Sequence, residues 1–375
     1  MPCCTRLDLK CVLCGDHKTL FFFLLKFIYH HCDIHCITIK INTPFIEPLV
    51  LQWYDTHCRT LPWRVHAGKS DCYAVWISEM MLQQTTVATA IGYFDKFMHR
   101  FPTVHDLATA SIDDVLMIWQ GLGYYRRAHY VHQAAQIIAD RGFPTSYDEW
   151  LALPGIGPYT AGAITTMALW KPAVVVDGNI ERLFSRVFGI DGPKWRSKIV
   201  DIAHQQLPTH AMARPGCYTQ ALMDLGATVC TPKSPKCLVC PLNKHCFALA
   251  NSCVDTLPPK TIKKKSVRYG LVWIMRNDTG HIMLDKNPPI SLLKGLWSFP
   301  TTPWSDTMPS DPQTGHKLGS VSHVFTHFTL HLDVWCRVPC VDPTPSQEWF
   351  SMPEITALPM SRLMTKVKNL VAEQE

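Results

Sequence analysis

Cys230, Cys237, Cys240 and Cys246 stand at C-x6-C-x2-C-x5-C spacing, and four thiolates so closely set form a cage for a metal or a metal cluster. The array holds one C-x2-C pair. Structural zinc sites usually carry two short-spaced pairs, and four thiolates in a short segment also suit an iron–sulfur cluster, so spacing leaves both open. Cys217 and Cys253 fall outside the pattern and read as bystanders.

Upstream lies LPGIGPYTAGAI, Leu153 to Ile164. Gly155 and Gly157 let the backbone approach a phosphate, and a helix starting near Pro158 would aim its free N–H groups and positive dipole end at that anion. The same G-x-G turn also joins helices that merely pack. Beside a thiolate cage, the helix-hairpin-helix signature points to DNA repair.

Two carboxyls add the chemistry. Asp177 follows the run Ala173-Val174-Val175-Val176 and precedes Gly178-Asn179, a helix N-terminus whose dipole and free N–H groups keep a carboxylate ionised. An ordinary N-cap has the same look. Glu79, in WISEMMLQQT (Trp76 to Thr85), sits at what reads as an apolar helix start, where desolvation raises a carboxyl pKa and makes a proton donor near neutral pH. A first-turn glutamate serving the dipole is the plainer alternative. N-glycosidic cleavage needs this contrast: an acid for the leaving base and an anion for the oxocarbenium-like sugar.

These residues need a scaffold. At 375 residues the chain exceeds the roughly 100 to 200 of one domain, so two domains are expected. A formal charge of +6 permits a polyanion partner without demanding one. Sixteen cysteines would suggest disulfides in a short secreted chain; in one this long, with no readable signal peptide and four cysteines at ligand spacing, they suit a reducing compartment. The run LFFFLLKFIY, Leu20 to Tyr29, is too short to span a bilayer, so no membrane partner is expected. Residues 1–43 crowd six cysteines without a clean helical period; a second metal site or a targeting peptide competes with an over-extended gene model or a poorly ordered tail.

Residues 44–255 read as all-α. Ser78 is expected to cap a helix running through Met81, Leu82, Val87 and Ile91; Ser111 precedes Ile112, Val115, Leu116 and Trp119; Val131 to Ile138 gives another apolar stripe. Residues 256–268 (TLPPKTIKKKSVR) form a basic, Pro-containing linker. From 269 to 375 the period changes to two. Leu271–Arg276 and His281–Asp285 flank an Asn277-Asp278-Thr279-Gly280 turn, Val324 to Val334 alternates, and Met360 to Val371 looks helical. This second domain is α+β.

LPWR (Leu61 to Arg64), WISEMMLQQTTV, WQGLGYYRRA (Trp119 to Ala128), LPGIGPYTAGAI, VDGNIERL (Val176 to Leu183), QALMDLGATVC (Gln220 to Cys230) and the cysteine array occur in one order. Together, from about residue 46 to 372, they resemble the MutY-type adenine DNA glycosylases of the helix-hairpin-helix superfamily. The resemblance implies removal of adenine mispaired with 8-oxo-7,8-dihydroguanine or guanine in double-stranded DNA. It gives Glu79 the role of proton donor and Asp177 that of stabilising the sugar cation or forming a transient covalent link, with Asn179 and Tyr159 in support. It places Trp63, Arg64 and Gln220 around the adenine, and Gln84, Leu122 and Tyr124 in the duplex near the oxidised guanine. The cysteines then hold a [4Fe-4S] cluster, and Lys233 and Lys236 in its loop could meet phosphate.

Relatives with lyase activity carry lysine in the hairpin where Tyr159 stands, so a monofunctional enzyme is implied. The last domain resembles the Nudix-like module that reads the oxidised guanine, with Phe325-Thr326-His327 where the family usually has Phe-Ser-His. No glutamate-rich array follows Gly295, so the carboxylates of a magnesium pyrophosphatase are missing. A monomer is expected, cytoplasmic on the bacterial nucleoid, or nuclear or mitochondrial in a eukaryote. The competing readings are an endonuclease III-type glycosylase/lyase on oxidised pyrimidines and a non-catalytic DNA-binding or redox-signalling iron–sulfur protein.

Overall fold

The computed structural model describes residues 45–65, 68–210, 213–259, 265–290, 292–293, 295–310, 312–337 and 343–374. The readings made for residues 1–43, and for the middle of the basic linker, lie outside the described residues.

The first part is helical: α1 Glu47–His57, α2 Cys72–Leu82, α3 Val87–Arg100, α4 Val104–Thr109, α5 Ile112–Trp119, α6 Arg126–Arg141, α7 Tyr147–Leu151, α8 Pro158–Met167, α9 Gly178–Phe188, α10 Trp195–Gln205, α11 Pro215–Thr228 and α12 Phe247–Ala250. Polar caps start many of them. Ser111 Oγ accepts from Asp114 N, and Ser146 with Glu149 closes a reciprocal capping box at α7. The core is aromatic. Trp76, Trp119, Trp150 and Phe97 are fully buried, each removing on the order of 2 kcal/mol of apolar exposure from water.

The single helix expected from Ser78 is two helices. Asp71, whose side chain accepts from Ala74 N at 2.8 Å, caps α2, while Ser78 lies inside it with its hydroxyl on Val75 O. A turn at residues 83–86, with Gln84 at φ 58°, separates α2 from α3. Glu79 therefore sits near the carbonyl end of its helix and not at a helix start. The apolar residues on either side, Met81 and Leu82 before the turn and Val87 and Ile91 after it, share a helical rhythm that hid the break at Gln83-Gln84-Thr85-Thr86.

The second part has strands β1 Ser266–Met275, β2 Ile282–Asp285, β3 His316–Val324, β4 Phe328–Arg337 and β5 Gln347–Phe350, then α13 Met352–Ala357 and α14 Arg362–Ala372. One sheet has the order β1-β4-β3 and the other pairs β2 with β5. The expected hairpin across Asn277–Gly280 is reduced to one bridge, Arg276 with Ile282. β1 spends its ladder on a parallel pairing with β4, from Ser266 opposite Phe328 to Met275 opposite Arg337. The alternation read from Val324 to Val334 likewise crosses a turn at 325–327, closed by Phe325 N donating to Phe328 O at 2.8 Å. Val272, Leu330, Leu332, Val334, Met364 and Val367 pack the core between sheet and α14.

Phe45–Glu375 holds together as one compact unit. Lys286 Nζ meets Asp113 Oδ2 at 2.7 Å, and the hydroxyls of Tyr124 and Thr326 hydrogen-bond across the seam. Gly295 is so close to the ring of His129 that a Cβ would stand 2.5 Å from its Nε2.

Candidate active site

The hairpin before α8 turns at Gly155, whose φ of 74° and closeness to Tyr130, 2.4 Å from where a Cβ would be, leave room for glycine alone. Gly157 caps α8 and Pro158 opens it, which puts Tyr159 in the first turn. Its hydroxyl donates to Glu79 Oε2 at 2.8 Å.

Glu79 is 3% exposed. Burial pushes its carboxyl up to about 7; the Tyr159 hydrogen bond opposes this, the negative charge of Asp177 adds to it and Arg64 opposes it. The burial and the Glu79 interaction hold the Tyr159 phenol well above its ordinary value, so it stays protonated and a donor.

Asp177 is the N-cap of α9. Its Oδ1 accepts from Asn179 N at 2.9 Å and Ile180 N at 2.7 Å, and its Oδ2 accepts from Asn179 Nδ2 at 2.8 Å. Three N–H donors at a helix N-terminus thus converge on this one carboxyl group. Asn179 is fixed in turn through its Oδ1 by Arg182 Nη2 at 2.8 Å.

One cavity of about 520 Å³ gathers Trp63, Arg64, Glu79, Gln84, Tyr159, Asp177 and Asn179. Two unpredicted residues complete its chemistry. Arg59 lines the cavity, and Asp224 behind it is fully buried and accepts from Arg59 Nε at 2.7 Å and Arg64 Nη1 at 2.9 and 3.0 Å. An aspartate inside the apolar helix QALMDLGA was the available signal, because a buried carboxylate requires a charged partner.

Of the other expected residues, Gln220, Leu122, Tyr124, Phe325, Thr326 and His327 do not line this cavity. Gln220 is 1% exposed, and its Oε1 accepts from Tyr54 Oη at 2.8 Å. Its place on the inner face of α11 turns it toward α1. Leu122 is buried, while Gln84 is exposed and Tyr124 is 40% exposed. Both exposed residues have left-handed backbones, φ 58° and 52°, a strain that the surroundings must hold. The half-buried ring of Phe325 packs 4.7 Å from Phe328 and 5.6 Å from Trp304. Thr326 and His327 are exposed at the tip of the β3–β4 turn.

Cys230, Cys237, Cys240 and Cys246 ring a separate pocket walled by Leu183, Val187 and Val254. Four thiols around one pocket are a donor set that suits an iron–sulfur cluster. Arg186 is 3% exposed and donates to Cys230 Sγ at 3.4 Å, a buried cation suited to a thiolate-bound anionic group. Cys217 and Cys253 do not line this pocket.

Residues 77–208 match the HhH-GPD superfamily of base excision DNA repair proteins, 230–246 the iron–sulfur binding domain of endonuclease III, and 271–370 the NUDIX domain. The adenine DNA glycosylase of Buchnera aphidicola subsp. Acyrthosiphon pisum (strain APS) is 37% identical over 309 residues, 78% of this chain and 87% of the relative. This chain belongs to the adenine DNA glycosylase family. The Homo sapiens member is 33% identical over 409 residues, 87% of this chain and 74% of that one. Among solved structures, a thermostable thymine-DNA glycosylase aligns at a TM-score of 0.49 and 25% identity, over 55% of this chain and 95% of that chain. The family carries an iron–sulfur cluster, and Cys230, Cys237, Cys240 and Cys246 are the residues to hold it. A bound cluster would cross-link the loop that carries them.

Proposed function

We propose that this chain hydrolyses the N-glycosidic bond of adenine mispaired with 8-oxo-7,8-dihydroguanine, or with guanine, in double-stranded DNA. The observation that carries the reading is the meeting of Glu79 and Asp177 in one cavity with opposite environments. Glu79, pushed up to about 7, keeps a proton near neutral pH and delivers it to the departing base, which takes the electron pair of the broken bond. Asp177, its carboxylate fixed in place by three N–H donors, stabilises the sugar cation until water adds to it.

Tyr159 and Asn179 orient these two carboxyls. Among the described residues no lysine lines the cavity, which supports hydrolysis without a Schiff base. The exposed turn carrying Thr326 and His327 would read the opposite base, within the part that matches the NUDIX domain. The enzyme would act as a monomer where the genome is: the bacterial cytoplasm, or a nucleus or mitochondrion.

Single-turnover assays on duplexes containing A:8-oxoguanine, A:G, A:T or an oxidised pyrimidine test this. Free adenine released from the first two is expected. Excision of the oxidised pyrimidine alone would replace the reading with an endonuclease III-type activity, and binding without any release would leave a non-catalytic DNA-binding protein.

A further inference from the structure

We propose that Asp224 is a positioning residue of the active site: it clamps Arg59 and Arg64 against the cavity wall and sets the positive charge that Glu79 meets across the cavity. Its carboxylate is fully buried in α11 and is saturated by two guanidiniums. Oδ1 accepts from Arg59 Nε at 2.7 Å and lies 2.6 Å from Arg59 Nη2. Oδ2 accepts from the Arg59 backbone N–H at 2.9 Å, and Arg64 Nη1 reaches both oxygens at 3.0 and 2.9 Å.

Two cations share one anion, so the cluster keeps a net positive charge beside the cavity. For packing alone an apolar side chain at this helix position would serve as well, because replacing buried ion pairs by apolar residues is often neutral or stabilising. The groups facing Glu79 are Tyr159 from α8, Asp177 from the start of α9, and Arg64 from the loop after α1. Arg64 is the cation among them. Its pull toward the ionised carboxylate opposes the burial that keeps Glu79 protonated, and Asp224 offsets that pull.

The inference rests on Glu79 being the proton donor, and the test separates the two. Single-turnover adenine excision by the full chain is followed against pH. With a donor near 7 the rate falls as pH rises, and this limb should disappear in Glu79→Gln; a limb that survives there removes the donor reading. Arg59→Met leaves Asp224 wholly to Arg64, which lowers the net charge, so the limb should move up by about half a pH unit or more. Asp224→Asn frees both cations, and the limb should move down by a similar amount.

Asp224→Asn disrupts a buried network and is expected to cost stability. Arg59, whose side chain is 26% exposed, carries the test alone if that variant is insoluble. A Glu79-dependent limb that stays in place, or moves down, in Arg59→Met overturns the inference, as do shifts in the same direction for both variants.

Discussion

Tyr159 Oη donates to Glu79 Oε2 at 2.8 Å, and this bond joins the hairpin helix α8 to the helix that carries the buried carboxyl. It is also the strongest influence opposing the effect of burial on Glu79. A hydrogen bond to the ionised form favours ionisation. Tyr159→Phe should therefore move the alkaline limb of the pH–rate profile upward, while the freed carboxyl lowers the plateau rate by up to about 100-fold. A limb that moves down would contradict the arrangement.

Asp177→Asn keeps an oxygen for the backbone donors Asn179 N and Ile180 N and so retains the cap of α9. It loses the anion. Excision in single turnover should fall by at least about 100-fold, the low end for one electrostatic contact, with duplex affinity in a gel-shift titration nearly unchanged. A rate close to that of the unaltered chain would sink the role given to Asp177.

Glu79 also sets a stability penalty with a definite pH window. Its carboxyl stands at about 7 when folded against an ordinary 4.5. Below 4.5 both states bind the proton and nothing is lost; between these values only the unfolded chain releases it, so stability falls as pH rises, and above 7 the loss is complete. At 1.4 kcal/mol per pH unit the upper bound is about 3 kcal/mol. Glu79→Gln should thus be more stable than the unaltered chain at pH 8 and gain little at pH 4, read by urea melts at both. A difference independent of pH would mean that Glu79 is not buried as a neutral acid.

Local signals explain what could be read in the sequence. Gly157-Pro158 starts α8 and Asp177-Gly178-Asn179 caps α9 because these residue types act on their own neighbours. Pairings made at long range left no such mark. The parallel ladder of β1 with β4 has no turn to announce it, and Asp224 finds Arg59 and Arg64 at 165 and 160 residues' separation. The bond of Gln220 to Tyr54 left no local mark for a related reason: a helix motif fixes a position along the axis, while neighbouring helices decide what each face meets. Glu79 was placed in apolar surroundings correctly, yet at the wrong end of its helix, since Ser78 has the chemistry of a cap without occupying one.

The cysteine loop predicts a coloured protein. The purified chain should be yellow-brown with iron at about four per chain, as a four-thiolate cluster requires, and without stoichiometric zinc, by elemental analysis. Cys237→Ser should lose iron and soluble yield before it alters the excision rate per folded molecule, because its pocket is separate from the cavity of Glu79. Zinc in place of iron would overturn the cluster assignment.

His327 lies exposed beside Thr326, whose hydroxyl meets that of Tyr124 across the seam between the helical and sheet parts. The turn is thereby tied to a loop of the helical part and held away from the adenine cavity, whose walls include neither residue. Flipping adenine out costs a few kcal/mol of unstacking and unpairing, and a contact to the base left behind offsets that cost only when the lesion is present. His327→Ala should then erode the preference for A:8-oxoguanine over A:G while largely sparing the slower A:G rate, measured by single-turnover excision on matched duplexes. Equal losses on both substrates, or none on either, would reject the reading role and leave the sheet part as a packing or partner-binding module.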